Sequence, residues 1–370
     1  MGKENFKTNI ATIAFHRAIN YGAVLQVYAL QKKIEELGGN CTVLDYRNDL
    51  LESKHRETKI GDCKTIKDYI RFIILSKNNN LKHKAFRAFS ESYLNLSKPY
   101  YTIDELKKDE QKYDKFITGS DQVWNGNLSN TDPAYFLDFV SNSRKKNSYA
   151  ASFGFEKVPD NKVGDYYNML KDYNEMSVRE NQGAKIIKEL LGVDVETVLD
   201  PTLLLTKEEW FEIAEDYTKN EKYILIYGFG GAKYKMNFAK NLSKKTGCKI
   251  VHIVNPYFNE RGILYEKSLG PKEFLGIFKN AQYIVTNSFH GTAFAINFNK
   301  EFFVEPLSEA FGTNSRLTNI LDLFGLKDRL IFSEDISMYD KAIDYDNVNK
   351  VLNGERKNSL EFIRKIINSN

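Results

Sequence analysis

The stretch TNSFHGT, residues 286–292, sets a histidine and a glycine where the apolar run YIVT gives way to AFAINF. Read as a strand handing over to a helix, this point offers unpaired backbone N–H groups and the positive end of a helix dipole. Such an end takes a phosphate or carboxylate readily. Gly291 would let an anion approach the backbone, while Asn287, Ser288 and Thr292 add short polar groups. His290 beside them could give or take a proton, with the dipole pushing its pKa down and a bound dianion pushing it up. The plain alternative is that Asn287 or Ser288 caps the helix and His290 makes one structural hydrogen bond. Spacing alone leaves both open.

Three further loops carry chemistry-bearing residues. In AFHRAINYGAVLQ, His16 and Arg17 leave a strand and Asn20, Tyr21 and Gly22 open a helix, so Tyr21 could stack on a sugar ring. In TGSDQVWN, Asp121, Gln122, Trp124 and Asn125 combine a carboxylate and amides with a flat aromatic, a mixture suited to carbohydrate hydroxyls. SVRE supplies Arg179 beside Glu180, and Arg316 stands at the expected helix start in GTNSRLTNIL. Arginine's planar fork suits carboxylate or phosphate, although a surface ion pair is the commoner fate.

Other signatures fail. YGFGGAK has too few correctly spaced glycines for a dinucleotide fingerprint and no P-loop ending, and HExxH is absent. Cys41, Cys63 and Cys248 are scattered with no CxxC, which argues against a disulfide framework or a zinc site. Glu301 and Glu309 match an E-x7-E spacing found in some nucleotide-sugar glycosyltransferases, but they bracket the strand FFVEPL and so fall at its opposite ends.

The elements that must hold these loops read as α/β. NIATIAF, HRAINYG, AVLQVYALQKKIEEL and CTVLDYR give strand, loop, helix and strand, a βαβ unit that implies a parallel sheet. A second series of the same kind starts at YILIYGFGG. With 370 residues, 42% of them hydrophobic, two domains are expected. The expected boundaries are 1–205, a linker at 206–220, a second domain at 221–335, and C-terminal helices at 336–370 packing back on the first. Every candidate loop then lies at the carboxyl edge of a sheet, where open α/β folds bind ligands.

A net charge of +4 is too small to argue for nucleic acid. The start lacks a continuous apolar segment, so no secretory signal is expected, and the longest apolar runs fall far short of a membrane span. The Lys-rich region of residues 51–112 reads as solvated helix faces.

Taken in order, TIAFHRAINYGAVLQVYALQ, DYR, FITGSDQVWN, YFLDFV, SYAASFG, SVRE, VLDPTLLL, AQYIVTNSFHGTAF and NSRLTNIL resemble the polysaccharide pyruvyl transferase family over nearly the whole chain. The resemblance implies a GT-B-like fold, two Rossmann-like domains facing a cleft with the C-terminal helices returning to the first. It implies transfer of the pyruvyl group of phosphoenolpyruvate onto two hydroxyls of a surface-polysaccharide sugar, with a cyclic ketal formed and phosphate released. No cofactor or metal is implied beyond phosphoenolpyruvate as donor. The SFH of this chain matches the family's histidine motif, which gives His290 the acid/base role. Many relatives carry an arginine two residues earlier, where this chain has Ser288. The donor anion is therefore expected on Arg179, Arg316, Asn287, Ser288 and the backbone around Gly291 and Thr292. His16, Arg17, Tyr21, Asp121, Trp124 and Asn125 are expected to face the acceptor. That acceptor would be a nucleotide- or lipid-linked sugar met in the cytoplasm. A lipid-linked one would make the lysines of 64–84 a candidate membrane-surface face. The rival readings are a GT-B glycosyltransferase using a nucleotide sugar and a non-catalytic carbohydrate-binding protein.

Overall fold

The structure, a computed structural model, describes residues 7–48, 51–52, 61, 65–217, 221–230, 232–254, 260–307 and 314–369, without the side chains of 67–75 and 314. The chain forms two compact units, one of Met1–His55, Ser90–Leu205 and Asn353–Asn370, the other of Arg56–Phe89 and Thr206–Leu352.

The first unit holds a five-stranded sheet of β1 (Asn9–Ile13), β2 (Asn40–Tyr46), β3 (Leu96–Tyr100), β4 (Lys115–Gly119) and β5 (Lys146–Tyr149). The order is β3-β2-β1-β4-β5, and every pairing is parallel. A two-stranded sheet of β6 (Ser177–Val178) and β7 (Glu196–Thr197) extends it through bridges to Asn147 and Ala151. The second unit repeats the pattern with β8 (Tyr223–Tyr227), β9 (Lys249–Ile253), β10 (Ile263–Glu266), β11 (Tyr283–Thr286) and β12 (Glu301–Val304), in the order β10-β9-β8-β11-β12. All of YILIY in β8 is buried, as a central parallel strand covered on both faces requires.

In each sheet the first strand is central and the order reverses beside it, between β1 and β4 and between β8 and β11. The carboxyl ends of those pairs open the crevice in which doubly wound sheets take ligands. His16 and Arg17 follow β1, Asp121 follows β4, Gly228 follows β8, and Asn287 to His290 follow β11.

Two segments divide differently from the sequence reading. Arg56–Phe89 groups with the second unit, where helix Ile66–Tyr93 comes so near Gly270 that a Cβ there would lie 2.7 Å from Ala85. Residues from Thr206 are likewise no free linker. Thr206 and Glu209 form a capping box on helix Lys207–Ile213, whose fully buried Trp210 packs edge-on against Phe294 at 5.4 Å.

The last helix, Tyr345–Asn368, starts in the second unit and belongs to the first from Asn353. There Ser359 accepts the Leu199 N–H at 3.0 Å, and Arg356 donates to the carbonyls of Leu203 at 2.6 Å and Leu205 at 3.0 Å. Arg356→Ala leaves those carbonyls without their charged donor and should lower stability by about 1–3 kcal/mol in urea unfolding. An unchanged midpoint would show that this arginine does not hold the helix.

Candidate functional site

The second unit's switch point is built around one amide. Asn287 Oδ1 accepts the Phe229 N–H at 2.8 Å, and its Nδ2 donates to the Phe229 carbonyl at 3.0 Å. The loops after β8 and β11 are thereby tied together at the carboxyl edge. Gly228 makes this possible, with φ at +143° and a missing Cβ that would otherwise lie 1.9 Å from Asn287 Oδ1.

The next residue, Ser288, is the N-cap of helix Phe289–Asn297, accepting from the Gly291 N–H, while Thr292 Oγ1 donates to the Ser288 carbonyl at 3.0 Å. For Ser288 the capping reading is therefore the observed one. Gly291 has a packing reason as well. A Cβ there would meet Thr286 Oγ1 at 2.4 Å and Tyr227 Cδ1 at 2.9 Å, so its smallness seats the helix against β8 and β11. His290 stands in the first turn of this helix, buried, with its ring edge-on to Phe289 at 5.2 Å. Arg316, part-buried, lies in the first turn of helix Asn314–Leu323.

Sequence reasoning missed three residues at this edge. Lys235, first residue of helix Lys235–Thr246, is buried and donates to Asn287 Oδ1 at 3.1 Å and to the Phe229 carbonyl at 3.2 Å. Burial lowers its amine to about 8 despite the opposing pull of Glu305. Glu305, just past β12, accepts the N–H groups of Lys233 at 2.6 Å, Tyr234 at 3.0 Å and Lys235 at 2.5 Å, which ties down the turn leading into that helix and its first N–H. His252 in β9 is lowered to about 4 by burial and by the Lys235 charge. The signal available was a lysine opening a helix just after the Gly-rich turn YGFGG.

In the first unit the expected acceptor residues are largely turned inward. His16 Nε2 meets Asp45 Oδ1 at 3.0 Å and its Nδ1 faces the Ala14 carbonyl at 3.3 Å. Arg17 clasps the same carboxylate with two nitrogens, through Nε at 2.8 Å and through Nη2. Burial alone would raise Asp45, but the hydrogen bonds and charges of His16 and Arg17 outweigh it and hold the carboxyl far below the ordinary range. His16 is thus an internal partner of Asp45, and Arg17 keeps only an exposed flank. Asn20 caps helix Tyr21–Glu36 through Gly22 and Ala23, and Tyr21 is only 3% exposed, which leaves no ring face open to stacking.

Trp124 also departs from expectation. It is 0% exposed, stacked on Phe136 and packed against Phe153 and Tyr173, so it is core and presents no face to a sugar. Asn125 is buried as well, capping the short helix Gly126–Ser129 and donating to Gln122 at 2.7 Å. Asp121 sits at the edge with φ of 65°, a left-handed backbone at a non-glycine residue. Arg179 is not the clamp expected of it. Its buried guanidinium lies 2.9 Å from Asp200, 3.7 Å from Asp121 and 3.5 Å from Glu180, so its charge is met inside the unit. Glu301 takes Arg329 at 3.2 Å and the Ile343 N–H at 2.9 Å at the start of β12, a structural role, and Glu309 lies outside the described residues.

A sequence profile of polysaccharide pyruvyl transferases matches residues 20–306. The chain belongs to the polysaccharide pyruvyl transferase family. The match takes in both the Ser120–Asn125 and the Asn287–Thr292 loops of this pyruvyl transferase family member. Among curated proteins none matches its sequence. Of solved structures it is similar to Methanocaldococcus jannaschii UDP-GlcNAc 2-epimerase in complex with UDP-GlcNAc and UDP, at 14% identity over 95% of this chain and 92% of that one, with a TM-score of 0.50. Rickettsia bellii UDP-N-acetylglucosamine 2-epimerase is similar at 9% identity over 97% of this chain and 98% of that one, with a TM-score of 0.44. The first likeness gives the fold alone, of GT-B type with two Rossmann-like units, as the sequence resemblance implied.

Among the described residues no three of His, Cys, Asp and Glu converge as metal ligands, and no helix is long and apolar enough to cross a membrane. Lys64 and the side chains of 67–75, part of the lysine-rich run considered for a membrane surface, lie outside the described residues.

Two outcomes test these assignments. Trp124→Ala should cost about 3–5 kcal/mol of stability, as a core truncation does, and a folded variant defective only in acceptor binding would return Trp124 to the site. Asp45, depressed in the folded chain, stabilises it above its unfolded value of about 4 and loses that contribution as pH falls. The stability gap between wild type and Asp45→Asn should therefore be largest at neutral pH and shrink towards pH ~3 in urea titrations. A gap that stays constant over that range would mean the clasp on Asp45 is not formed.

Proposed function

We propose that this protein transfers the pyruvyl group of phosphoenolpyruvate to two hydroxyls of a sugar in a surface polysaccharide or its precursor. The observation that carries the reading is the family match, which spans the His290 loop at the second sheet's switch point. In the reaction one sugar hydroxyl adds to C2 of the enol as it loses its proton, and C3 gains a proton. The second hydroxyl then bonds to C2 as the C–O bond to phosphate breaks, its proton leaving with the phosphate, and ketal and inorganic phosphate result. His290 is the proton carrier in this scheme, a role typically worth ~10²–10⁴-fold. Arg316 and the polar turn Asn287–Thr292 serve the donor anion, and Asp121 and Arg17 serve the acceptor. On this reading the protein works in the cytoplasm, takes its acceptor as a nucleotide- or lipid-linked sugar, and needs no cofactor beyond the donor.

The test is phosphate release from phosphoenolpyruvate against a panel of sugar acceptors. Acceptor-dependent release, abolished in a folded His290→Ala variant, is the expected result. Turnover undiminished in that variant would take His290 out of the mechanism. Sugar binding with no release on any donor would leave a carbohydrate-binding protein instead.

A further inference from the structure

The surroundings of Lys235 are poor for a purely structural cation. Its side chain is 6% exposed, and its ammonium has three N–H donors, of which Asn287 Oδ1 and the Phe229 carbonyl take two. Both acceptors are neutral. The nearby carboxylate of Glu305 directs its oxygens to three backbone N–H groups of the same helix start. A buried charge that meets no carboxylate is costly, and an apolar side chain of similar length would fill the position more cheaply. Beside it, His252 is 9% exposed and its Nδ1 has no hydrogen-bond partner among the described residues. Through Asn287 and the Phe229 carbonyl Lys235 reaches the loops after β8 and β11, His252 is the penultimate residue of β9, and Ser288 brings no positive charge there.

We propose that Lys235 is the cation that seats a phosphoryl group at this edge, with Asn287 holding the amine in place and His252 as a hydrogen-bonding neighbour. The identity of the ligand as the phosphate of phosphoenolpyruvate rests on the function proposed above, whereas a nucleoside diphosphate would present the same chemistry. The groups that face Lys235 are Glu305 and His252. With its amine near 8, Lys235 is charged at neutral pH and increasingly neutral above it. An arriving phosphoryl dianion favours the charged form and raises the amine again, so binding above pH ~8 takes up a proton and weakens as pH climbs. A phosphate monoester has lost its last proton well below that range, near pH ~6, so the ligand's own titration does not intrude.

Isothermal calorimetry on the full chain decides the matter, with phosphoenolpyruvate and UDP as probes. Titrations run at pH 7 and pH 8.5, in two buffers of different ionisation enthalpy, on wild type and Lys235→Met. Unfolding midpoints confirm that the variant is folded. The expected result is phosphoenolpyruvate binding with proton uptake at pH 8.5, and about tenfold or greater weakening in Lys235→Met, as loss of a charge-assisted bond implies. Phosphoenolpyruvate binding of equal strength in both proteins with no proton uptake overturns the role of Lys235 and leaves the pyruvyl transfer reading standing. Binding of UDP alone, dependent on Lys235, keeps the phosphoryl seat and removes phosphoenolpyruvate as donor. Binding of neither probe by wild type defeats both. Should Lys235→Met not fold, the wild-type proton count alone decides.

Discussion

The second unit's edge depends on a single side-chain amide standing in for a missing strand partner. Phe229 leaves β8 with a backbone N–H and carbonyl that have passed the end of the ladder, and Asn287 satisfies both from the loop after β11. Asn287 is buried, and its side-chain amide would be costly without partners, so this pair of bonds fixes the two loops in one register. The glycine at 228 follows from it, since any side chain there would occupy the place of Asn287 Oδ1. The cap by Ser288 and the close seat of Gly291 on Thr286 and Tyr227 then set where His290 begins its helix.

The two units share a strand order yet treat charge at their switch points in opposite ways. In the first, Asp45 holds His16 and Arg17, while Asp121, Glu180 and Asp200 surround Arg179. Cations there are matched or outnumbered by carboxylates, an environment unsuited to gathering a small polyanion. In the second, the carboxylate of Glu305 is directed to backbone N–H groups and the amine of Lys235 is left among neutral oxygens. The first unit's cations are thus neutralised in place, whereas the second keeps a buried amine among neutral oxygens.

The fold was legible because its signals are local. YILIY and YIVT are continuous apolar runs of strand length, and glycine or polar turns separate them from helices of period 3.6. The candidate loops were legible for the same reason, since each strand end announces itself. What could not be read was the direction of individual side chains. Trp124 and Tyr21 sit at the right edge but point into the core, and nothing in one sequence distinguishes an aromatic facing solvent from one facing Phe136. Arg179 failed for a related reason, because its partner Asp200 lies 21 residues away and the β6 and β7 pairing brings them together. Arg56–Phe89 was assigned to the wrong unit because a chain excursion leaves no mark in composition.

Lys235 was overlooked because a lysine opening a helix ordinarily reads as solvated, and because cations are favoured at the other end of a helix dipole. Its position against the dipole is the informative part. Glu305 places negative charge on the N–H groups of that helix start, which offsets the dipole and allows a cation to stand there. The same carboxylate occupies the N–H groups of Lys233, Tyr234 and Lys235, the turn that leads into this helix and its first residue, and so competes there with an incoming anion. Glu305 thus holds the backbone N–H groups nearest the β8 turn, and the charge that side offers is the amine of Lys235. On the β11 side Ser288 takes only the Gly291 N–H, so a small anion between the two loops would meet an amine from one and a helix start from the other. An arginine at position 288 would concentrate charge and cap on a single residue; in this chain the cap stays with Ser288 and the charge sits one strand away, linked to it through Asn287.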